Sequence, residues 1–513
     1  MAEWLKKAVF YEIYPQSFYD TNGDGIGDFN GIIEKLDYIK GLGANALWIN
    51  PCFDSPFKDA GYDVRDYKKV APRYGTNEDL YRLFSTAHEK GIRVFLDLVP
   101  GHTSEEHPWF IESKKAEENE YSGRYIWTDF WLGGIKGHPY IGGESERNGT
   151  YMLNFFKCQP ALNYGFLNPE ESWQKGIDDP DCLKTREAIK DIICFWLSKG
   201  CDGFRVDMAD SLVKDDDSEK SGTCKVWRDI FESVRKEYPE AAFVAEWNNS
   251  HQAIMGAGFD MDFMLDWGGN GYNSLLRDYE TPGGDHSYFK ADADGDITTF
   301  LNEYLPRVKE IKGKGYISLI SCNHDTTRAR ETLSIPELKV AYATLFTLPG
   351  VPFLYYGDEI GMRYLHIPTK EGGYTRTGTR TPMQWNNGVN KGFSTAAKEK
   401  LYLPVDEAPD APNAEDALKD KDSLLYTVRD IFALRRDKSD FDADSDFSVL
   451  IGEKDKAFVY TRGNAVCAVN PSNEKTSVVL DQIKDKKIVY TIGNADMVND
   501  CLELGESSFV ILM

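Results

Sequence analysis

Gly203-Phe204-Arg205-Val206-Asp207 is a short strand-forming run that stops abruptly on an acid. Runs of the same kind recur at 9–15, 46–51, 94–100, 242–247, 263–267, 316–323 and 352–356, eight in all with the first. Segments with helical spacing lie between them, among them 31–41, 77–90, 184–198, 224–237 and 298–312. Continuous apolar strands alternating with amphipathic helices indicate a parallel sheet covered by helices. Eight such units predict an α/β protein built on a closed (β/α)8 TIM barrel.

Working outward, residues 101–181, after the third strand, are too many for an ordinary loop and are rich in Gly, Trp, Tyr and Asn, so they read as an inserted domain B above the C-terminal face of the barrel. The uncharged stretch 340–357 is as long as a membrane span, but Pro349-Gly350 and Pro352 break it into a helix, a turn and a buried strand. Residues 362–422 are loop-rich and 421–438 read as a closing helix. Beyond it, 447–450, 457–461, 465–470, 476–480, 487–490 and 508–513 read as strands of a C-terminal antiparallel β-sandwich. The expected domains are therefore 1–100 with 182–438 (barrel), 101–181 (domain B) and 439–513 (β domain).

Composition narrows the function. At 513 residues the chain exceeds any single small module, and its net charge of −24 has the wrong sign for nucleic acid or an anionic membrane surface. With 41% hydrophobic residues it can bury a real core. The first residues mix Glu3, Lys6, Lys7 and Glu12 with aromatics and lack an apolar signal core, so a cytoplasmic location is expected. Nine cysteines without CxxC pairs or metal spacing read as free thiols in a reducing compartment.

In such a barrel the chemistry gathers at the C-terminal strand ends. Here these carry His102, Arg205, Asp207, Glu246, His324 and Asp325. Acetal cleavage through an oxocarbenium-like transition state needs one carboxylate that attacks and one carboxylic acid that protonates the leaving group, and Asp207, Glu246 and Asp325 at one mouth suit it.

These strand ends resemble the four best-known regions of the α-amylase family, glycoside hydrolase family 13, and the likeness runs through barrel, insertion and tail. It implies that Asp207 is the nucleophile, Glu246 the general acid/base and Asp325 the carboxylate that grips sugar hydroxyls. Arg205 would hold the nucleophile ionised and oriented, while His102 and His324 bind the sugar of the first subsite. In Asp59-Ala60-Gly61-Tyr62-Asp63-Val64, Tyr62 would stack on that sugar. Asp59 and Arg380 resemble the pair that closes the pocket around a non-reducing-end glucose in oligo-1,6-glucosidase and α-glucosidase members. The loop Asp20-Thr21-Asn22-Gly23-Asp24-Gly25-Ile26-Gly27-Asp28 places oxygen side chains at alternate positions, like the first nine of an EF-hand, with Gly31 where the bidentate Glu would be. The resemblance implies structural Ca²⁺ on Asp20, Asn22, Asp24, the Ile26 carbonyl and Asp28, and no organic cofactor.

Some positions depart from the family pattern. Gly101 replaces an Asn that ligates a second calcium in many members, so that site is not expected. Ala161 replaces the acid of the Gln159-Pro160-Ala161-Leu162-Asn163 segment. Met208 stands where members cleaving α-1,6 bonds often have Val and those cleaving α-1,4 bonds Ala or Thr, leaving the linkage open. Asp210 and Ser211 replace the Lys-His of many endo-amylases. Trp109, Trp127, Trp131 and Tyr140 are either local core or aglycone lining. The expected activity is retaining release of glucose from the non-reducing end of short α-1,4 or α-1,6 gluco-oligosaccharides. The alternatives are an endo-acting neopullulanase or α-amylase type, a transglucosylase or sucrose phosphorylase type, and a non-catalytic transporter-associated relative, which the three retained carboxylates disfavour. The sequence leaves the oligomeric state open.

Overall fold

A computed structural model describes residues 1–129, 137–279, 282–371, 375–454 and 457–513. Eight parallel strands close into a barrel: β1 (Phe10–Ile13), β2 (Ala46–Ile49), β3 (Arg93–Leu98), β4 (Gly203–Val206), β5 (Ala242–Ala245), β6 (Met261–Phe263), β7 (Tyr316–Ile320) and β8 (Val351–Tyr355). Each pairs with its neighbours in sequence, and β8 returns to β1 through Phe10 opposite Phe353. The interior is filled rather than open: Phe10 and Phe353 stack at 4.2 Å, with Phe263 4.9 Å from Phe353 and Trp48 5.4 Å from Phe263. The functional face therefore stands on a rigid aromatic floor.

The outer ring includes α1 (Phe29–Leu42), α2 (Asn77–Glu89), α3 (Pro180–Leu197), α4 (Ser221–Glu237), α5 (Ile297–Glu310), α6 (Ile335–Thr347) and α7 (Leu424–Asp437). Local chemistry fixes their starts. Asp28 caps α1 by accepting from the Gly31 N–H, and Thr76 and Asp79 form a reciprocal capping box on α2. Between β5 and β6 a single π-helical turn, His251–Gly256, replaces a full helix.

One strand lies away from its expected place. The apolar run 263–267 predicts β6, but the strand is Met261–Phe263, and Trp267 is 55% exposed. The cause is Asp262, a buried carboxyl inside the strand that accepts from the Asn248 N–H and Ser250 Oγ, each at 3.2 Å. An acidic residue within the strand hides its hydrophobic pattern.

The long segment after β3 carries helix Pro108–Ser113 and a three-stranded antiparallel ribbon of Trp127–Thr128, Thr150–Met152 and Tyr140–Gly142. At the C-terminal end a five-stranded antiparallel sheet, β9 (Phe447–Ile451), β10 (Phe458–Arg462), β11 (Ala465–Asn470), β12 (Ile488–Ile492) and β13 (Ser508–Leu512), runs in the order β9-β10-β11-β13-β12. A second sheet joins Thr476–Val478 to the hairpin of Ala495–Val498 and Cys501–Leu504, which the sequence reading misses. Its turn residues Asn499 and Asp500 both have positive φ, the hairpin turn chemistry that was the available signal. Arg462 of β10 ties these sheets to the barrel by donating to the Thr347 carbonyl at the end of α6, and Arg435 of α7 holds the same region by donating to the carbonyls of Phe346, Leu348 and Gly350. All nine cysteines are free, and no helix among the described residues is long and apolar enough to cross a membrane.

Candidate active site

Strand β4 ends on Arg205 and Val206, so the Arg205 side chain points inward beneath the mouth while Asp207, just past the strand, stands at its rim. The buried Arg205 guanidinium meets three carboxylates: Asp97 at 2.9 Å, Asp207 at 3.0 Å and Glu246 at 2.7 Å. Asp207 and Glu246 are thus held by different nitrogens of one guanidinium. Asp97, to which the sequence reading assigned no role, also accepts from Trp48 Nε1 at 3.1 Å and Tyr62 OH at 3.2 Å. It completes the base of the site.

Glu246 follows β5 directly, and its Oε2 accepts the Met208 backbone N–H at 2.9 Å. Met208 has φ of 40°, a left-handed conformation costly for a side-chain-bearing residue. That strained turn aims the N–H at Glu246. Burial first, and then the Glu246 charge, push the Asp207 carboxyl well up against the attraction of Arg205.

Beyond β7, His324 lies buried between acids. Its Nδ1–H donates to Glu12 at 2.9 Å, and its Nε2–H faces Tyr62 OH at 2.5 Å and Asp325 at 3.2 Å. Burial opposes the imidazolium, but Asp325 and Glu12 outweigh it and carry His324 up to about 9. Burial works against the Asp325 carboxylate too, yet His324, Arg380 and Arg376 hold it well below the usual range. Glu12, also receiving Asn50 Nδ2 at 3.0 Å, was not singled out from sequence. His102 is the opposite case: burial lowers it to about 3, and it donates Nε2–H to the Tyr62 carbonyl at 3.0 Å while Asn154 Nδ2 donates to its Nδ1 at 3.0 Å. Gly101 leaves room for that amide, since a Cβ there would lie 2.9 Å from Asn154 Nδ2.

The expected closing pair is corrected by the structure. Arg380 does not pair with Asp59; it lies deeper, donating to the His324 carbonyl at 2.8 Å and to Asp325 at 2.5 Å. Arg376, one short turn earlier, bridges Asp59 and Asp325, the latter at 3.0 Å, while Gln159 Nε2 fixes the other Asp59 oxygen at 2.7 Å. Four residues back along this 3-10 turn, the chain reaches the rim that Arg380 cannot. The arginine-rich run Arg376-Thr377-Gly378-Thr379-Arg380 was the signal for two cooperating guanidiniums.

These groups line a cavity of about 440 Å³, with Asp59, Tyr62, Asp325 and Arg376 among its walls and Asn154, Phe155, Phe156 and Met208 on others. Of the expected aromatics, Trp127 is core, stacked on Phe110, and Trp109 packs beside His107. Tyr140 is exposed, and Trp131 lies outside the described residues.

The loop expected to hold calcium supplies hard oxygen donors. In the fold, however, Asp20 accepts from the N–H groups of Asn22, Gly23 and Gly25 and from Ser394 Oγ, and Asp28 from Thr21 and Gly31. The loop thus holds itself on its own donors, and no cluster of three or more His, Cys, Asp or Glu placed for a metal occurs among the described residues.

The family model described as "Alpha amylase, catalytic domain" matches residues 12–443. The oligo-1,6-glucosidase of Heyndrickxia coagulans is 34% identical over 90% of each chain. A trehalose synthase/amylase of Mycolicibacterium smegmatis is 31% identical over 90% of this chain and 80% of its own. A trehalulose synthase structure superposes with a TM-score of 0.82 at 26% identity, covering 100% of both chains.

Proposed function

The chain belongs to the α-amylase family and is a glycoside hydrolase of the α-glucosidase type, and from that premise we propose that it releases glucose from the non-reducing end of short α-1,6- or α-1,4-linked gluco-oligosaccharides with retention of configuration. In this reading Asp207 attacks the anomeric carbon and Glu246 protonates the departing oxygen, then deprotonates the incoming water. Asp325 and His324 grip ring hydroxyls, Tyr62 and His102 border the same sugar, and Arg205 orders the two reacting acids. The observation that carries the exo reading is the Asp59–Arg376–Asp325 bridge across one side of the cavity, with Arg380 bracing Asp325 from below. A chain cannot thread past such a bridge, so only a terminal sugar fits. The oligo-1,6-glucosidase relative supports α-1,6 links as the first to test.

A second reading has its own support. The trehalose synthase/amylase and trehalulose synthase likenesses favour transfer of the glycosyl group to a second sugar hydroxyl rather than to water. Incubation with isomaltose, maltose, trehalose, sucrose and pullulan, with and without phosphate, separates the two: the proposal predicts free glucose from isomaltose or maltose and little cleavage within pullulan. Accumulation of an isomeric disaccharide in place of glucose would assign transfer instead. Asp207→Asn is the control and should lose activity by about 10³-fold or more.

Calcium on Asp20, Asn22, Asp24, the Ile26 carbonyl and Asp28 is a separate, structural proposal supported by the residue pattern. Binding to the folded state alone raises the unfolding temperature with free Ca²⁺. A melting curve identical in calcium and in chelator would remove it.

A further inference from the structure

Past Glu246 the catalytic cavity meets a second one of about 270 Å³, and Asn154, Phe155 and Met208 line both. The Arg376 bridge closes the glycone side, so an oligosaccharide extends over Met208 into this second space. There the Lys214 side chain is buried, its residue only 7% exposed. Its backbone is pinned by hydrogen bonds to the Gly165 carbonyl at 2.9 Å and from the Leu167 N–H at 3.1 Å. Its ammonium carries three donors, and the Ser211 carbonyl, at 2.6 Å, takes one.

The other charges of this pocket are matched. Lys220 faces Asp210 at 3.5 Å, His138 faces Asp215 at 3.2 Å, and Asp216 accepts the N–H groups of Gly222 and Thr223 at the start of α4. Lys214 is the one cation of this lining with no ion-pair partner among the described residues. Burial lowers its ammonium to about 8, so it stays charged at neutral pH. Buried donors left unsatisfied are costly, and a hydroxylated ligand would satisfy them. Three nearby aspartates make the space unsuitable for an anion.

We propose that this second pocket is a subsite for a further neutral sugar unit of the aglycone, in which Lys214 donates to sugar hydroxyls and makes the enzyme favour trisaccharides over disaccharides. The proposal rests on the α-glucosidase reading above.

The test compares kcat/KM for isomaltotriose and isomaltose, or the maltose pair if that linkage is the one cleaved. The wild-type ratio of trisaccharide to disaccharide should be about tenfold, and Lys214→Met should bring it close to one. A ratio is independent of the fraction of active enzyme, so partial misfolding of the variant does not obscure it. A wild-type ratio near one overturns the proposal without any variant, and so does a high ratio that survives Lys214→Met. Preference for trehalose 6-phosphate over trehalose by more than tenfold, lost in Lys214→Met, would also overturn it, because the lysine would then serve an anion. If the wild type hydrolyses neither disaccharide, the parent reading fails instead.

Discussion

At the scale of single residues, the site is organised by buried charges whose neighbours set their state. His324 is the sharpest case, since its folded value of about 9 lies above the ordinary 6.5. Its contribution to stability is therefore full below about 6.5 and lost as pH rises through about 9. Glu12→Gln removes one of the two charges that hold the imidazolium, and the alkaline limb of kcat/KM should move to lower pH by about one unit. An alkaline limb in the same place as wild type would show that Glu12 does not act through His324. Arg376 offers a different prediction, because it bridges Asp59 and Asp325 at the cavity edge. Arg376→Ala should raise KM for the disaccharide about tenfold with a smaller change in kcat, and should raise internal cleavage of pullulan relative to disaccharide turnover. Unchanged KM and cleavage pattern would place the closure elsewhere.

At the scale of elements, the strand-end residues were readable because an acid stops an apolar strand abruptly, which is why Asp207 and Glu246, the proposed catalytic pair, stand out after β4 and β5. What escaped was information carried by the packing of distant segments. Glu12 reaches His324 from the first strand, Gln159 reaches Asp59 from the long segment after β3, and the role of Arg376 depends on how a short turn is seated. Local pattern also failed at β6, where Asp262 sits in a strand with burial pushing it up to about 8. A carboxyl whose folded value is raised above the unfolded 3.9 is favoured in its neutral form, so its ionisation costs stability progressively between about pH 4 and pH 8. Asp262→Asn should therefore stabilise the protein at pH 7.5 by about 2 to 4 kcal/mol and change it little at pH 4. Chemical denaturation at the two pH values checks this, and an equal effect at both would mean that the carboxyl ionises without cost.

At the scale of the whole molecule, a packed barrel supplies rigid strand ends, the segment after β3 supplies Asn154, Phe155 and Gln159, and the C-terminal sheets brace α6 through Arg462. Removing residues 439–513 would strip away Arg462 and the buried Tyr460, whose hydroxyl pairs with Thr347 at 2.6 Å. The truncated chain should aggregate rather than persist as a monodisperse barrel on size-exclusion chromatography; a stable, active barrel would show the brace to be dispensable. The excess of acids, which gives the −24 charge, lies mostly outside the site and bears on solubility rather than on a neutral sugar. A retaining attack by Asp207, proposed for a pocket that admits one terminal glucose, fixes the anomer of the product. Proton NMR of isomaltose or maltose digestion, recorded before mutarotation, should show the α-anomer as the first glucose released from the non-reducing end, and β-glucose appearing first would exclude retention.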